Sequence, residues 1–262
     1  MDLALTGKTA VVTGASRGIG LAVAEAFAEA GVRVVGAART ITPELDKVSA
    51  ATVSADLSTR DGAVSVIDAA LEAVGGIDIL VNNVGGGDPE WLDLDGFLHS
   101  TDEQWRHYLD LNLFSAIWTT RAALPSLLER RGSIINVSSI NAHVPGSGPV
   151  GYSEAKAALA SFGKRLSEEF GPQGVRVNTI SPGPVGTRIW RDEHRIGAKL
   201  ASAQGISQEQ FLDALPTQFD IASRRITEPE EVAALIAFVA SGKATNIVGA
   251  DFVIDGGIIK TT

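Results

Sequence analysis

The sequence predicts an α/β fold: a doubly wound parallel sheet of seven strands with helices on both faces. Three observations predict it. Residues 8–39 read as strand, Gly-rich turn, helix and strand, which is a βαβ unit. Further short apolar runs alternate with helical patterns along the rest of the chain. Finally, 262 residues that are 45% hydrophobic and only 20% charged allow a sizeable core in one domain spanning residues 1–262. The 28 glycines suit a fold with many short turns and a backbone that approaches a ligand.

The first unit carries the most information. Thr9-Ala10-Val11-Val12 is an apolar run that breaks at Thr13-Gly14-Ala15-Ser16-Arg17-Gly18-Ile19-Gly20. Ile19, Val23, Ala26, Phe27 and Ala30 then share a helix face, Gly31 stops the helix, and residues 32–37 form the second run. A helix N-terminus attracts phosphate through its unpaired N–H groups and its dipole, and glycine lets the phosphate come close. The spacing, G-x-x-x-G-x-G at Gly14, Gly18 and Gly20, is not the G-x-G-x-x-G of the common dinucleotide fingerprint. At the end of the second strand an acid binds the 2′-hydroxyl of NAD, whereas a base accommodates the 2′-phosphate of NADP. This chain has Ala38 and then Arg39, with Arg17 in the glycine loop, so NADP(H) is favoured over NAD(H).

Bulk properties exclude several classes. A net charge of −9 without a basic stripe argues against nucleic acid and anionic membranes. The absence of Cys excludes disulfides, thiol catalysis and Cys-ligated zinc, and permits a cytoplasmic setting. Residues 1–7 lack a signal-peptide pattern, and no apolar run reaches membrane-spanning length. No metal is called for.

Residues 51–55 read as a third strand ending at Asp56-Leu57, with Ser58 as the cap of a helix over 59–74. Residues 77–81 form a fourth strand, followed by Asn82-Asn83-Val84-Gly85. The connection 86–100 holds Trp91, Leu92, Leu94 and Phe97, and it edges either a substrate pocket or an oligomer contact. Thr101 caps a long helix whose later face carries Leu109, Leu113, Ile117 and Leu124, with Asn112 among them as an amide in need of partners. Residues 132–137 and 175–180 are strands five and six, the former running into Ser138-Ser139. Residues 188–226 mix Trp190, Phe211, Leu215 and Phe219 with charges. Either these side chains shape a bulky, partly apolar substrate site or they are ordinary packing. A last helix runs from Glu228 through Val239, and 246–254 is the final strand.

Tyr152 and Lys156 stand at i and i+4 on an Ala-rich helix and so lie one above the other. A nearby ammonium favours a phenolate, and a phenol tuned towards working pH exchanges a proton with a carbonyl or carbinol oxygen. Ser139, thirteen positions before Tyr152, is placed at a strand end to bond the same oxygen. Alone, Tyr-x-x-x-Lys is a common surface pair.

In order, Thr13-Gly14-x-x-x-Gly18-x-Gly20, Asn82-Asn83-Val84-Gly85, Ser139, Tyr152-x-x-x-Lys156 and Pro182-Gly183-x-x-x-Thr187 resemble the short-chain dehydrogenase/reductase family in its shorter branch, over Lys8 to Gly257. Val84 stands where the family has Ala. The resemblance implies a Rossmann-type sheet and reversible hydride transfer between a nicotinamide and a ketone or secondary alcohol, with NADP(H) favouring reduction. It implies Tyr152 as general acid/base, Lys156 tuning it and holding the nicotinamide ribose, Ser139 orienting the carbonyl, and Asn112 at a helix irregularity supporting a proton relay. It places Gly14, Ser16, Arg17, Gly18, Ile19, Gly20, Arg39, Asp56, Leu57, Asn83, Gly85, Tyr152, Lys156, Pro182, Val185 and Thr187 against the cofactor, makes 188–226 the substrate lid, and implies a homotetramer. Two rivals share the fold: an epimerase or dehydratase, which spaces its glycines differently and has a larger C-terminal domain, and a cofactor-sensing binding protein, which usually loses the Tyr or the Lys.

Overall fold

The computed structural model describes residues 2–86 and 96–260. Seven strands form one sheet in the order β3-β2-β1-β4-β5-β6-β7. They are β1 (Thr9–Thr13), β2 (Arg33–Ala38), β3 (Ala51–Ser54), β4 (Ile79–Asn82), β5 (Ser133–Val137), β6 (Arg176–Pro182) and β7 (Asp251–Ile254), and every pairing is parallel. Parallel strands need crossovers, and the helices supply them: α1 (Gly18–Glu29), α2 (Pro43–Val48), α3 (Arg60–Val74), α4 (Asp102–Leu109), α5 (Ser115–Arg130), α6 (Tyr152–Phe170), α7 (Arg188–Arg191), α8 (Ile196–Ala203), α9 (Gln208–Gln218) and α10 (Pro229–Ala240).

Alternation along β1 builds two cores. Ala10 and Val12 pack with Val23 and Phe27 of α1 and with Val232 and Ile236 of α10. Val11 points the other way, into a core with Val66 and Ile67 of α3, Leu127 of α5 and Leu166 of α6. The central strands are therefore buried on both faces, which is why they read as unbroken apolar runs. The connections from β1 run to β2 and β3 on one side, whereas β4 lies on the other. The order reverses between β1 and β4, and at such a point the carboxyl ends of the strands leave a crevice.

The structure corrects several readings of detail. Helix α3 is capped by Thr59, whose Oγ1 accepts from Gly62 N at 3.1 Å, while Ser58 bonds Asp56 instead. β7 is shorter than 246–254. Helix α2, only six residues long and opened by Pro43, gave no periodic signal. The helix after Thr101 is not continuous: a wide π-type turn over Asp110–Phe114 separates α4 from α5. Its buried face carries Tyr108, Asn112, Thr119, Ala123 and Leu127, whereas Leu109, Leu113, Ile117 and Leu124 are half-buried. Polar groups on the buried face hid it from an apolar reading. Trp91, Leu92 and Leu94 lie outside the described residues, and Phe97 is 68% exposed.

Residues 188–226 hold α7, α8 and α9, and the apolar side chains there pack on one another. Phe211, Leu215, Ile221 and Ala201 are buried together, and Trp190 stacks on Phe211 with ring centroids 6.4 Å apart. The ordinary-packing alternative therefore holds for Phe211 and Leu215, and these residues give no argument for a bulky substrate.

The edge of the sheet opposite the crevice is tied by Asp78. Its Oδ2 accepts from Thr9 N at 3.0 Å and Thr9 Oγ1 at 2.9 Å, and Lys8 and Arg130 approach at 3.1 and 3.4 Å. Burial raises the Asp78 pKa, but the Thr9 and Lys8 hydrogen bonds outweigh it and the net shift is downward. A carboxylate with a depressed folded-state pKa contributes stability that is complete above the unfolded value, and that stability is lost as pH falls through the folded value. Asp78→Ala strands the buried Thr9 donors and is expected to cost about 2–4 kcal/mol in urea unfolding at pH 7. The deficit should shrink as the pH of the titration is lowered below ~4.

Candidate active site

The glycine loop follows β1 and faces the segment after β4. Asn83 Nδ2 donates to Thr13 O at 2.9 Å and to Gly14 O at 3.2 Å, and Thr13 Oγ1 accepts from Asn83 N and Val84 N at 3.0 and 3.1 Å. A Cβ on Gly20 would collide with the Gly14 carbonyl oxygen and stand 2.6 Å from Asn83 Nδ2. Helix α1 therefore starts against bare backbone. Arg17 at its N-cap makes no side-chain capping bond, and its first turn holds no acid. The uncapped donors of this helix suit a phosphate.

Arg17 and Arg39 are exposed on the rim of this cradle. Burial lowers the Arg17 pKa most, and then the positive charges of Arg195, Arg188 and Arg39, with Asp192 opposing. Asp56 lies within the field of Arg39. Burial raises its pKa, but hydrogen bonds from Ser58 Oγ and Ser58 N, helped by Arg39, bring it below the ordinary carboxylate value. The Leu57 side chain is buried in the core beneath, so only its backbone is offered to a ligand.

The second half of the site forms where β5 ends and α6 begins. Ser138 and Ser139 diverge: Ser138 Oγ donates to Lys156 O at 2.9 Å, while the Ser139 hydroxyl hydrogen-bonds the Tyr152 phenol. Lys156 is buried, and its Nζ donates to Val137 O at 2.8 Å and lies 5.9 Å from the centroid of the Tyr152 ring. Burial pushes its pKa down to about 7. Burial also raises the Tyr152 pKa, against the Ser139 hydrogen bond. The direction differs from that expected of a phenol beside an ammonium because desolvation acts on both groups.

Asn112 sits in the wide turn between α4 and α5. Its Nδ2 donates to Tyr108 O at 3.1 Å and Gly86 O at 3.4 Å, and its Oδ1 accepts from Gly86 N at 2.8 Å. A Cβ on Gly85, where φ is +152°, would stand 2.6 Å from Asn112 Oδ1 and 2.8 Å from Lys156 Nζ. Gly85, Asn112 and Lys156 are thus neighbours. Tyr108 meets Tyr152 edge-on with centroids 6.2 Å apart.

A third wall follows β6. Pro182 ends that strand, Val185 is buried and bridges Thr227, and Thr187 opens α7. A Cβ on Gly18 would stand 3.0 Å from Thr187 Cγ2, so the segment 188–226 begins close beside the glycine loop. The structure thus gathers Gly14 to Gly20, Arg39, Asn83, Gly85, Asn112, Ser139, Tyr152, Lys156, Pro182, Val185 and Thr187 at one end of the sheet. Arg188 and Arg195 escaped sequence reasoning. The only signal was a basic residue directly after the Pro-Gly-x-x-x-Thr turn, indistinguishable there from a solvated charge.

The glycine cradle, the rim arginines and the Ser-Tyr-Lys cluster fit a nicotinamide dinucleotide. Among the described residues no group of three or more His, Asp or Glu is placed to hold a metal, and no helix is long and apolar enough to cross a membrane.

Residues 14–259 match the family model described as enoyl-(acyl carrier protein) reductase. Glucose 1-dehydrogenase 2 of Bacillus subtilis is 32% identical over 97% of this chain and 95% of its own length. The 3-oxoacyl-[acyl-carrier-protein] reductase FabG of Vibrio cholerae is 32% identical over 97% of this chain and 98% of its own. Among solved structures, L-sorbose reductase from Gluconobacter frateurii, complexed with NADPH and L-sorbose, superposes with a TM-score of 0.90 at 33% identity over 100% of both chains. Motifs, strand order and these matches agree: the chain belongs to the short-chain dehydrogenase/reductase family and is an NAD(P)-dependent oxidoreductase.

Proposed function

We propose that the protein reduces a small ketone to a secondary alcohol with NADPH. The observation that carries the reading is the convergence of the Ser139 hydroxyl, the Tyr152 phenol and the buried Lys156 ammonium beside the glycine cradle. When bound, NADPH supplies the hydride. Ser139 orients the carbonyl oxygen by hydrogen bonding. Tyr152, held as a neutral phenol by its raised pKa, gives that oxygen its proton. A phenol kept protonated suits reduction, the direction in which a proton is delivered. Lys156, buried and bonded to Val137 O with its Nζ 5.9 Å from the Tyr152 ring centroid, stands beside the phenol where the nicotinamide ribose would lie. Asn112, fixed by Tyr108 O and the Gly86 peptide, positions Lys156 and lies on the route by which that proton is renewed.

The preference for NADPH rests on Arg39 and Arg17 at the rim, with Ala38 where an acid would select NAD. A polar, hydroxylated ketone accords with the sugar-named relatives, and the lid's self-packed apolar side chains do not argue otherwise. The homo-oligomer expected from the family is supported by an apolar pair where the wide turn enters α5: Phe114 is 38% exposed and stacks on Trp118 with centroids 5.5 Å apart.

Tyr152→Phe is expected to lower kcat by about 10²–10⁴-fold in NADPH-oxidation assays with hydroxyketones while leaving NADPH binding intact; unchanged turnover sinks the acid role. Arg39→Ala should weaken NADPH binding about tenfold in a fluorescence titration and leave NADH binding unchanged. A wild type that binds NADH as well as NADPH overturns the cofactor assignment and points to NAD-dependent alcohol oxidation. Lys156 has a folded pKa below its unfolded value, so wild-type stability should rise as pH climbs from about 7 towards 9, as the native ammonium no longer has to be buried. Lys156→Met should flatten that rise in urea midpoints; an identical slope in both proteins argues against a buried, titrating lysine.

A further inference from the structure

The lid carries charge that the proposed chemistry does not use. Arg188 is the first residue of α7, directly after Thr187, and Arg17 directly precedes Gly18. A Cβ on Gly18 would stand only 3.0 Å from Thr187 Cγ2, so the two arginines flank the point where the lid comes closest to the glycine loop. Arg195 closes the same turn: its backbone N–H donates to Asp192 O at 3.1 Å, and it caps α8. Arg195, Arg188 and Arg39 all bear on Arg17 through their charges. Four guanidinium groups thus gather in a protein of net charge −9, with Asp192 and Asp56 as the acids that act on them.

Like charges brought together without a counterion cost free energy, and the obvious remedy is already half in place. The Arg188 guanidinium is held by Asp192 Oδ2, Nε at 3.0 Å, within its own turn. That pair is largely solvent-exposed on the arginine side, which is 63% accessible, so breaking it costs little. A phosphate at the uncapped N-terminus of α1 carries more charge for a guanidinium fork than the single carboxylate of Asp192.

Resting on the NADP(H) reading above, we propose that Arg188 and Arg195 of the lid are cofactor-phosphate ligands. They complete, from the lid side, the anion site begun by Arg17 and Arg39, so cofactor binding closes the lid by neutralising its repulsion from the loop. Arg188 exchanges Asp192 for phosphate as this happens. The lid then reports cofactor charge, and substrate meets a covered site only when the dinucleotide is present.

The test uses the full chain and two double variants: Arg188→Gln with Arg195→Gln, and Arg188→Lys with Arg195→Lys. NADPH and NADH are titrated by fluorescence at low and high potassium chloride, and chymotrypsin cleavage within 188–226 is followed with and without each dinucleotide. The glutamine variant is expected to bind NADPH about tenfold or more weakly, with a shallower salt dependence and little protection of the lid. The lysine variant, which keeps the charge, should recover most of both. Loss confined to NADPH places the contact at the 2′-phosphate, and equal loss for NADH places it at the pyrophosphate; both uphold the proposal. A glutamine variant that binds and protects like wild type overturns it. The cofactor reading fails separately, when wild type prefers NADH, and the lid result is then read from the NADH titration.

Discussion

The site depends on one close approach, that of Gly20 to the Gly14 carbonyl and the Asn83 amide. With no side chain at Gly20, the start of α1 settles against the end of β4, and Asn83 and Thr13 lock the two strand ends together through four hydrogen bonds. Everything else is referred to that junction. It lies at the reversal of strand order, so the crevice above it is open, and it leaves the α1 donors bare towards that crevice. A single methyl group at residue 20 would push the loop off the sheet.

A second constraint couples the proton-handling groups to the backbone. Lys156 is buried and bonded to Val137 O, its carbonyl is held by Ser138, and Gly85 lets it and Asn112 approach the same peptide. The wide turn at 110–114 makes this possible, because a regular helix would leave the Asn112 amide competing with main-chain bonds of its own. Burial then acts on both titrating groups in opposite directions of charge: it favours neutral lysine and neutral phenol.

The lid is a small unit with its own packing. Phe211, Leu215 and Ile221 bury one another, Trp190 stacks across them, and Gln208 ties the α7 end through Trp190 O and Asp192 O at 2.8 and 3.1 Å. Its apolar content is spent holding α7, α8 and α9 together, while Arg188, Asp192 and Arg195 bear on Arg17 of the glycine loop through their charges.

By itself the sequence determined the element types, the strand and helix order, the glycine loop, the Tyr152–Lys156 spacing and the break after β4, because these are local: periodicity, turn chemistry and i,i+4 geometry are written in neighbouring residues. Tertiary structure alone decided which of Ser138 and Ser139 faces Tyr152, since adjacent residues at a strand end point opposite ways and only the packing of α6 tells them apart. It decided that the face of α4 and α5 against the core runs through Asn112 and Thr119, which bond the distant Gly86 and Asn82. It also set the Ser139 hydroxyl against Tyr152 and buried Lys156 against Val137 O, and it brought Arg188 and Arg195 to Arg17 across more than 170 residues of chain. Burial and long-range charge are sums over neighbours that sequence distance does not reveal, and they set the chemistry of this site.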